Sequence, residues 1–127
     1  MNKQQFLAMS LPHDLAMKSK TFSRRRKDIE VLTPSNYNTM MALGRIPVLH
    51  SLRDLAKPIT HKGETVVPIE KMELSELDPD IVTGWIKAEL LIFKNSLKLI
   101  EWHFDIAGLI EKGEAIDVNT LEINLYK

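Results

Sequence analysis

Apolar and polar positions repeat with a helical period over one long stretch. Ile86, Leu90, Phe93, Leu97, Ile100, Phe104 and Ala107 recur at steps of four and three, which aligns them along one side of an α-helix. Lys87, Lys94, Lys98 and Glu101 fall on another face, where water solvates them. Leu91, Ile92, Leu99 and Trp102 widen the apolar side beyond a two-position seam, the width of a helix pressed into a core. Asp78 is placed to cap the start, and Pro79 suits the first helical position, where its missing N–H costs nothing. Asp80 adds negative charge at the positive helix end. Gly84 weakens the first turns, so the firm helix is expected from about Trp85. Asp105 interrupts the apolar run. There the helix either continues or yields to a second short helix, Ile106 to Lys112, capped by Asp105 and stopped by Gly113.

The rest of the chain is punctuated more finely. Residues 3 to 9 suit one or two helical turns, ended by Ser10-Leu11-Pro12-His13. Leu15 and Met17 alternate with polar or small neighbours, as do Ile29 and Val31. Two short strands follow from this, paired as a hairpin across a long basic loop. Thr33 and Pro34 open a helix that Gly44 ends, predicted over Pro34 to Leu43. Arg45 to Leu49 is expected as a linker or short extended piece. Ser51, with Asp54 three residues on, starts a short helix from Leu52 to Ala56. From Ile59 a β-hairpin turns at Lys62-Gly63, setting His61 opposite Glu64, Thr60 opposite Thr65 and Ile59 opposite Val66. Pro68 marks an edge or an end of the second strand. After Gly113 no period is clear, and residues 114–127 are expected as an extended tail on a single domain, 1–127. Helices between and after short strands, without a βαβ rhythm, predict an α+β fold. A small antiparallel hairpin or sheet would pack against a long C-terminal helix and two or three short helices.

Composition narrows the function classes. The 127 residues carry 17 basic and 17 acidic side chains, for a net charge of zero. That argues against bulk electrostatic binding to nucleic acid or an anionic membrane, and it removes a barrier to self-association. No cysteine is present, which excludes disulfides, thiolate metal sites and a cysteine nucleophile. The first residues lack the apolar core of a signal peptide, and no run reaches about 18 apolar residues, so neither secretion nor a membrane-spanning helix is expected. The expected location is cytoplasmic.

The candidate chemistry is sparse. In Glu101-Trp102-His103-Phe104-Asp105 a continuous helix would put Glu101 and Asp105 on one face and His103 elsewhere. A metal-dependent enzyme here would need His50, His61 or His13 brought in by the fold, with zinc held by histidine and carboxylate. The stronger alternative makes His103 a hydrogen-bonded residue at a helix end and Asp105 a cap or a partner for a nearby Lys. Arg24, Arg25, Arg26 and Lys27 can touch phosphates, although a solvated basic loop is the stronger explanation. Trp85 and Trp102 are candidate interface anchors. At 17 positions apart they would sit on neighbouring helical faces, roughly 25 Å apart along the axis. No Gly-rich phosphate loop or nucleophile elbow occurs.

Three pieces carry a resemblance: NKQQFLAMSLPH at the start, Pro47 to Glu70, and LIEWHFDIAGLIEKGEAIDVNTL from Leu99 to Leu121. Together they cover about half the chain. They resemble a set of small uncharacterised proteins of phages and prophage-like regions in gut anaerobic bacteria. Residues 14 to 46 and 71 to 98 depart from that set. The resemblance implies a phage or prophage accessory protein in a bacterial host cell, and it brings no activity, cofactor or catalytic residue. The resulting expectation is a non-enzymatic protein without cofactors that acts on a protein partner or as a homodimer, through Glu101, Trp102, His103, Asp105 or Trp85. The alternatives are a nucleic-acid accessory protein using Arg24 to Lys27 and a small metal-dependent enzyme around His103 and Asp105.

Overall fold

In a computed structural model of the chain, residues 1–19, 29–121 and 125–126 are described. The elements run α1 (Lys3–Ser10), β1 (Ala16–Lys18), β2 (Ile29–Val31), α2 (Tyr37–Ala42), β3 (Ile46–Leu49), β4 (Ile59–His61), β5 (Glu64–Val66), α3 (Pro68–Lys71), α4 (Pro79–Lys87), α5 (Phe93–Glu101) and β6 (Ile116–Asp117). Short 3-10 turns follow α1, β3 and β6. The fold is α+β. One sheet has the order β2-β1-β3-β6, and β4 and β5 form a separate hairpin.

Local sequence explains much of this. Asn2 accepts the Gln5 N–H while Gln5 accepts the Asn2 N–H, a reciprocal box that starts α1. Asp78 caps α4 through the Asp80 N–H at 2.8 Å, and Pro79 is its first residue, so α4 starts a turn and a half before Trp85 despite Gly84. β1 and β2 pair antiparallel as the alternation predicts. β4 and β5 pair in the predicted register, Ile59 with Val66, Thr60 with Thr65 and His61 with Glu64. Lys62 and Gly63 both take positive φ, the mirror-image turn that suits right-twisted strands. β5 ends at Val66, the end that Pro68 marks, and Pro68 opens α3.

Four expectations change or narrow. The helix placed over Pro34 to Leu43 starts only at Tyr37, because Thr33 and Asn36 close a turn on each other first. Arg45 to Leu49 narrows to the extended one of its two expected forms: its last four residues form the fully buried strand β3. Pro47 is tolerated there because β3 pairs with β1 at Ile46 and Pro47 but with β6 at Val48 and Leu49, so each half has one ladder partner. The presumed tail supplies β6, which joins β3 in parallel.

The fourth change is the largest. The long C-terminal helix is two helices, α4 and α5, separated by residues 88–92. Glu89 takes φ of 57°, with Leu90 N–H bonded to Trp85 C=O and Glu89 N–H to Ile86 C=O, a left-handed Schellman ending. Leu90-Leu91-Ile92-Phe93 are four consecutive apolar residues, which no single helical face can bury. The break lets Leu91 turn inward while Leu90, Ile92 and Phe93 stay exposed.

Two apolar clusters result. The first gathers α1, the sheet, Met40, Ile100 and Leu109. The second gathers the β4–β5 hairpin, Ile69, Met72, Val82, Ile86, Leu99 and Phe104. Adjacent residues Leu99 and Ile100 on α5 enter different clusters, so α5 lies between them.

Candidate functional site

The residues from Glu101 to Asp105 do not share a face, because α5 ends at Glu101. Trp102 is its cap, and His103 takes φ of 63° in a second Schellman ending, with Phe104 N–H on Leu99 C=O and His103 N–H on Ile100 C=O. The reversal leaves Glu101 exposed and half-buries Trp102 against the second cluster. It drives His103, Phe104 and Asp105 inside. The helix expected over Ile106 to Lys112 is a run of turns among which Asp105 is the organiser. Its two carboxylate oxygens accept the N–H groups of Leu109 at 2.7 Å and Ile110 at 2.9 Å. Burial raises the Asp105 pKa above its ordinary value, opposed by those two bonds.

His103 enters a nest that collects all four histidines of the chain. Its Nε2 lies 2.5 Å from the His13 carbonyl oxygen. A carbonyl only accepts, so Nε2 carries the proton in this tautomer and Nδ1 is the bare nitrogen. The His103 ring stacks on Tyr126 with centroids 3.9 Å apart and stands 5.2 Å from His61. His50 lies 6.0 Å from Tyr126 and 5.2 Å from Phe104. The backbone ties the groups together, with His50 N–H on His103 C=O and Asp105 N–H on His50 C=O. Tyr126 donates its hydroxyl to Val48 C=O at 2.6 Å and accepts the Ala16 N–H at 3.0 Å. Its own carbonyl accepts the Lys62 N–H at 2.8 Å.

Burial disfavours charge on His50, His61 and His103. Burial lowers the pKa of His50, with Asp54 the main opposing influence. Burial also lowers that of His61, helped by Lys62. His103 is pushed down to about 3, mainly by burial and against the His13 bond. Burial raises the Tyr126 phenol, opposed by the Ala16 bond. Both ring nitrogens of His50 and His61, and Nδ1 of His103, have no hydrogen-bond partner among the described residues. Asp54 accepts from Asn119 at 2.8 Å, and its other side-chain contacts are longer, to Lys57 at 3.6 Å and His50 at 4.0 Å. Among the described residues no group of three or more histidines and carboxylates is arranged to hold a metal ion.

A second feature faces outward. Ile81 and Trp85 are spaced four apart on α4, as are Phe93 and Leu97 on α5, and Leu90 and Ile92 lie between them. All six are exposed, Leu90 and Phe93 to 70% and 69%. Beside them α1 and the α4–α5 corner enclose a largely apolar groove of about 640 Å³, lined by Met9, Ile86, Leu91 and Phe93 among others. At its rim the N-terminal ammonium pairs with Glu89, which holds that carboxyl below its ordinary value.

The sequence-predicted candidates therefore separate. Trp85 belongs to the outward apolar surface, Trp102 to the second cluster, His103 to the histidine nest and Asp105 to a turn, while Glu101 is solvated. Arg24 to Lys27 lie outside the described residues. Periodicity missed the exposed Leu90, Ile92, Phe93 and Leu97 because it assigned three of them to the core stripe. His13, His50 and His61, the histidines the fold would have to bring to His103, do gather around it, while Tyr126 was missed because only the tertiary fold places it there. No protein-family model, no curated protein and no solved structure matches the chain. No helix among the described residues is long and apolar enough to cross a membrane.

Proposed function

We propose that this is a non-enzymatic accessory protein that acts by docking a protein partner on the apolar corner of α4 and α5. The observation that carries the reading is the exposure of six large apolar side chains within the single stretch from Ile81 to Leu97. Keeping such a group in water is costly at about 25 cal/mol per Å² of apolar surface, and clustered exposure of this kind marks interaction sites. Its two aromatic residues, Trp85 and Phe93, are of the kind that most often anchors interfaces. A phage or prophage setting in the cytoplasm of a bacterial host rests on the resemblance of the Leu99 to Leu121 piece and its two companions.

The test pairs Leu90→Glu with Phe93→Lys. Both side chains are exposed, so the double variant should keep the wild-type circular-dichroism spectrum and melting temperature within about 2 °C. A photocrosslinker placed at Ile92 should give a discrete adduct, with a protein of the host or with a second copy, and the double variant should weaken it at least tenfold. A wild-type protein that crosslinks to nothing and stays monomeric at high concentration overturns the reading.

A further inference from the structure

We propose that Tyr126 is an acid-released latch: it packs among His50, His61 and His103 while those imidazoles are neutral, and it leaves when they take up protons. The geometry carries the idea. The Tyr126 ring has the three imidazoles around it, at centroid distances of 3.9, 6.0 and 6.4 Å from His103, His50 and His61. All three histidines are buried. His61 is fixed in the β4–β5 ladder, and His50 is bridged to Phe104 through the backbone. Tyr126 itself lies outside every strand and helix. Tyr126 is held by the Ala16, Val48 and Lys62 hydrogen bonds and the His103 stack rather than by a strand ladder, and its departure would admit water to the three imidazoles.

The surrounding charges favour this response. His50 faces Asp54, Asp117 and His61. His61 faces Lys62, Glu101, His13 and Glu64. His103 faces His13, His61 and His50, and among the described residues no carboxylate acts on it. Asp54 is the buried carboxylate of the group, and it lies against His50; Glu64 and Glu101 are exposed and screened by water. His61 and His103 are therefore the pair with least support for positive charge. A histidine freed into water returns to its ordinary value near 6.5, so the open state binds more protons and opening becomes easier as pH falls below that value. For His103 alone, with its buried value of about 3, the bias towards the open state grows roughly thirtyfold between pH 7.5 and pH 5.

Hydrogen exchange of the full chain reads the latch directly, as protection factors corrected for the intrinsic effect of pH. The reporters are the amides of Ala16 and Lys62, bonded to the Tyr126 hydroxyl and carbonyl. The references are Ile69 and Met72, bonded to Leu55 and Pro68 in the second cluster. From pH 7.5 to pH 5.0 the reporters should lose at least about tenfold in protection and the references less than about twofold. His61→Gln and His103→Gln should each shrink the reporter response; if His103→Gln does not fold, His61→Gln decides. The proposal is overturned if reporters and references fall together, if neither falls, or if the response is unchanged in every folded variant.

Discussion

At the scale of single residues, Asp105 and His103 show how neighbours can take opposite roles. Both are buried, and both sit just beyond α5. Asp105 accepts two backbone N–H groups, so its role as a local acceptor was legible from an acidic residue ending an apolar run, although the helix it was expected to cap is a run of turns. His103 is not legible in the same way. Its partners lie far off in sequence, 90 residues away at His13, and Tyr126 reaches Ala16 across 110 residues. No local pattern encodes contacts of that range. The Asp105 geometry gives a graded expectation. Asp105→Ala removes both acceptors and should cost about 2 to 3 kcal/mol by urea denaturation. Asp105→Asn keeps one carbonyl acceptor and should cost roughly half as much. Equal losses in the two variants would mean that the two bonds are not what Asp105 contributes.

Chain reversal governs the scale of elements. Schellman endings close α2 at Gly44, α3 at Glu73, α4 at Glu89 and α5 at His103, and a fifth closes the turns before Gly113. Gly44 and Gly113 were legible as stops because glycine enters the left-handed region without strain. Glu73, Glu89 and His103 were not, since a side chain there costs about 1 kcal/mol and a helical period simply runs through it. That is why α4 and α5 read as one helix while the hairpin register, set by its turn, was correct. The break can be tested by the sign of one substitution. In the left-handed position Glu89→Gly relieves strain and should raise stability by about 0.5 to 1 kcal/mol, because the exposed pair with the N-terminal amine contributes little. Inside a continuous helix the same change would cost about 1 kcal/mol. A urea midpoint that falls on Glu89→Gly would restore the single long helix.

Across the whole molecule, the two features of interest sit on different clusters with a defined seam. The outward apolar corner is anchored by Val82, Ile86 and Leu99 in the second cluster, and Tyr126 belongs to the first. The seam runs where His50 lies against both Phe104 and Tyr126, and where Ile106 packs on both clusters. Coupling between mutations should follow shared neighbours rather than membership of one fold. Tyr126→Phe loses the two hydroxyl bonds, and Val82→Ala hollows a fully buried position. Because the two residues belong to different clusters, their costs should add to within about 0.5 kcal/mol in urea denaturation. Tyr126→Phe combined with Phe104→Leu is different, because both disturb the same His50 ring, and their interaction energy should exceed about 0.5 kcal/mol. If instead the Val82 pair couples as strongly as the Phe104 pair, the clusters melt and shift as one body, and an acid-opened latch on the first could not leave the docking surface on the second unchanged.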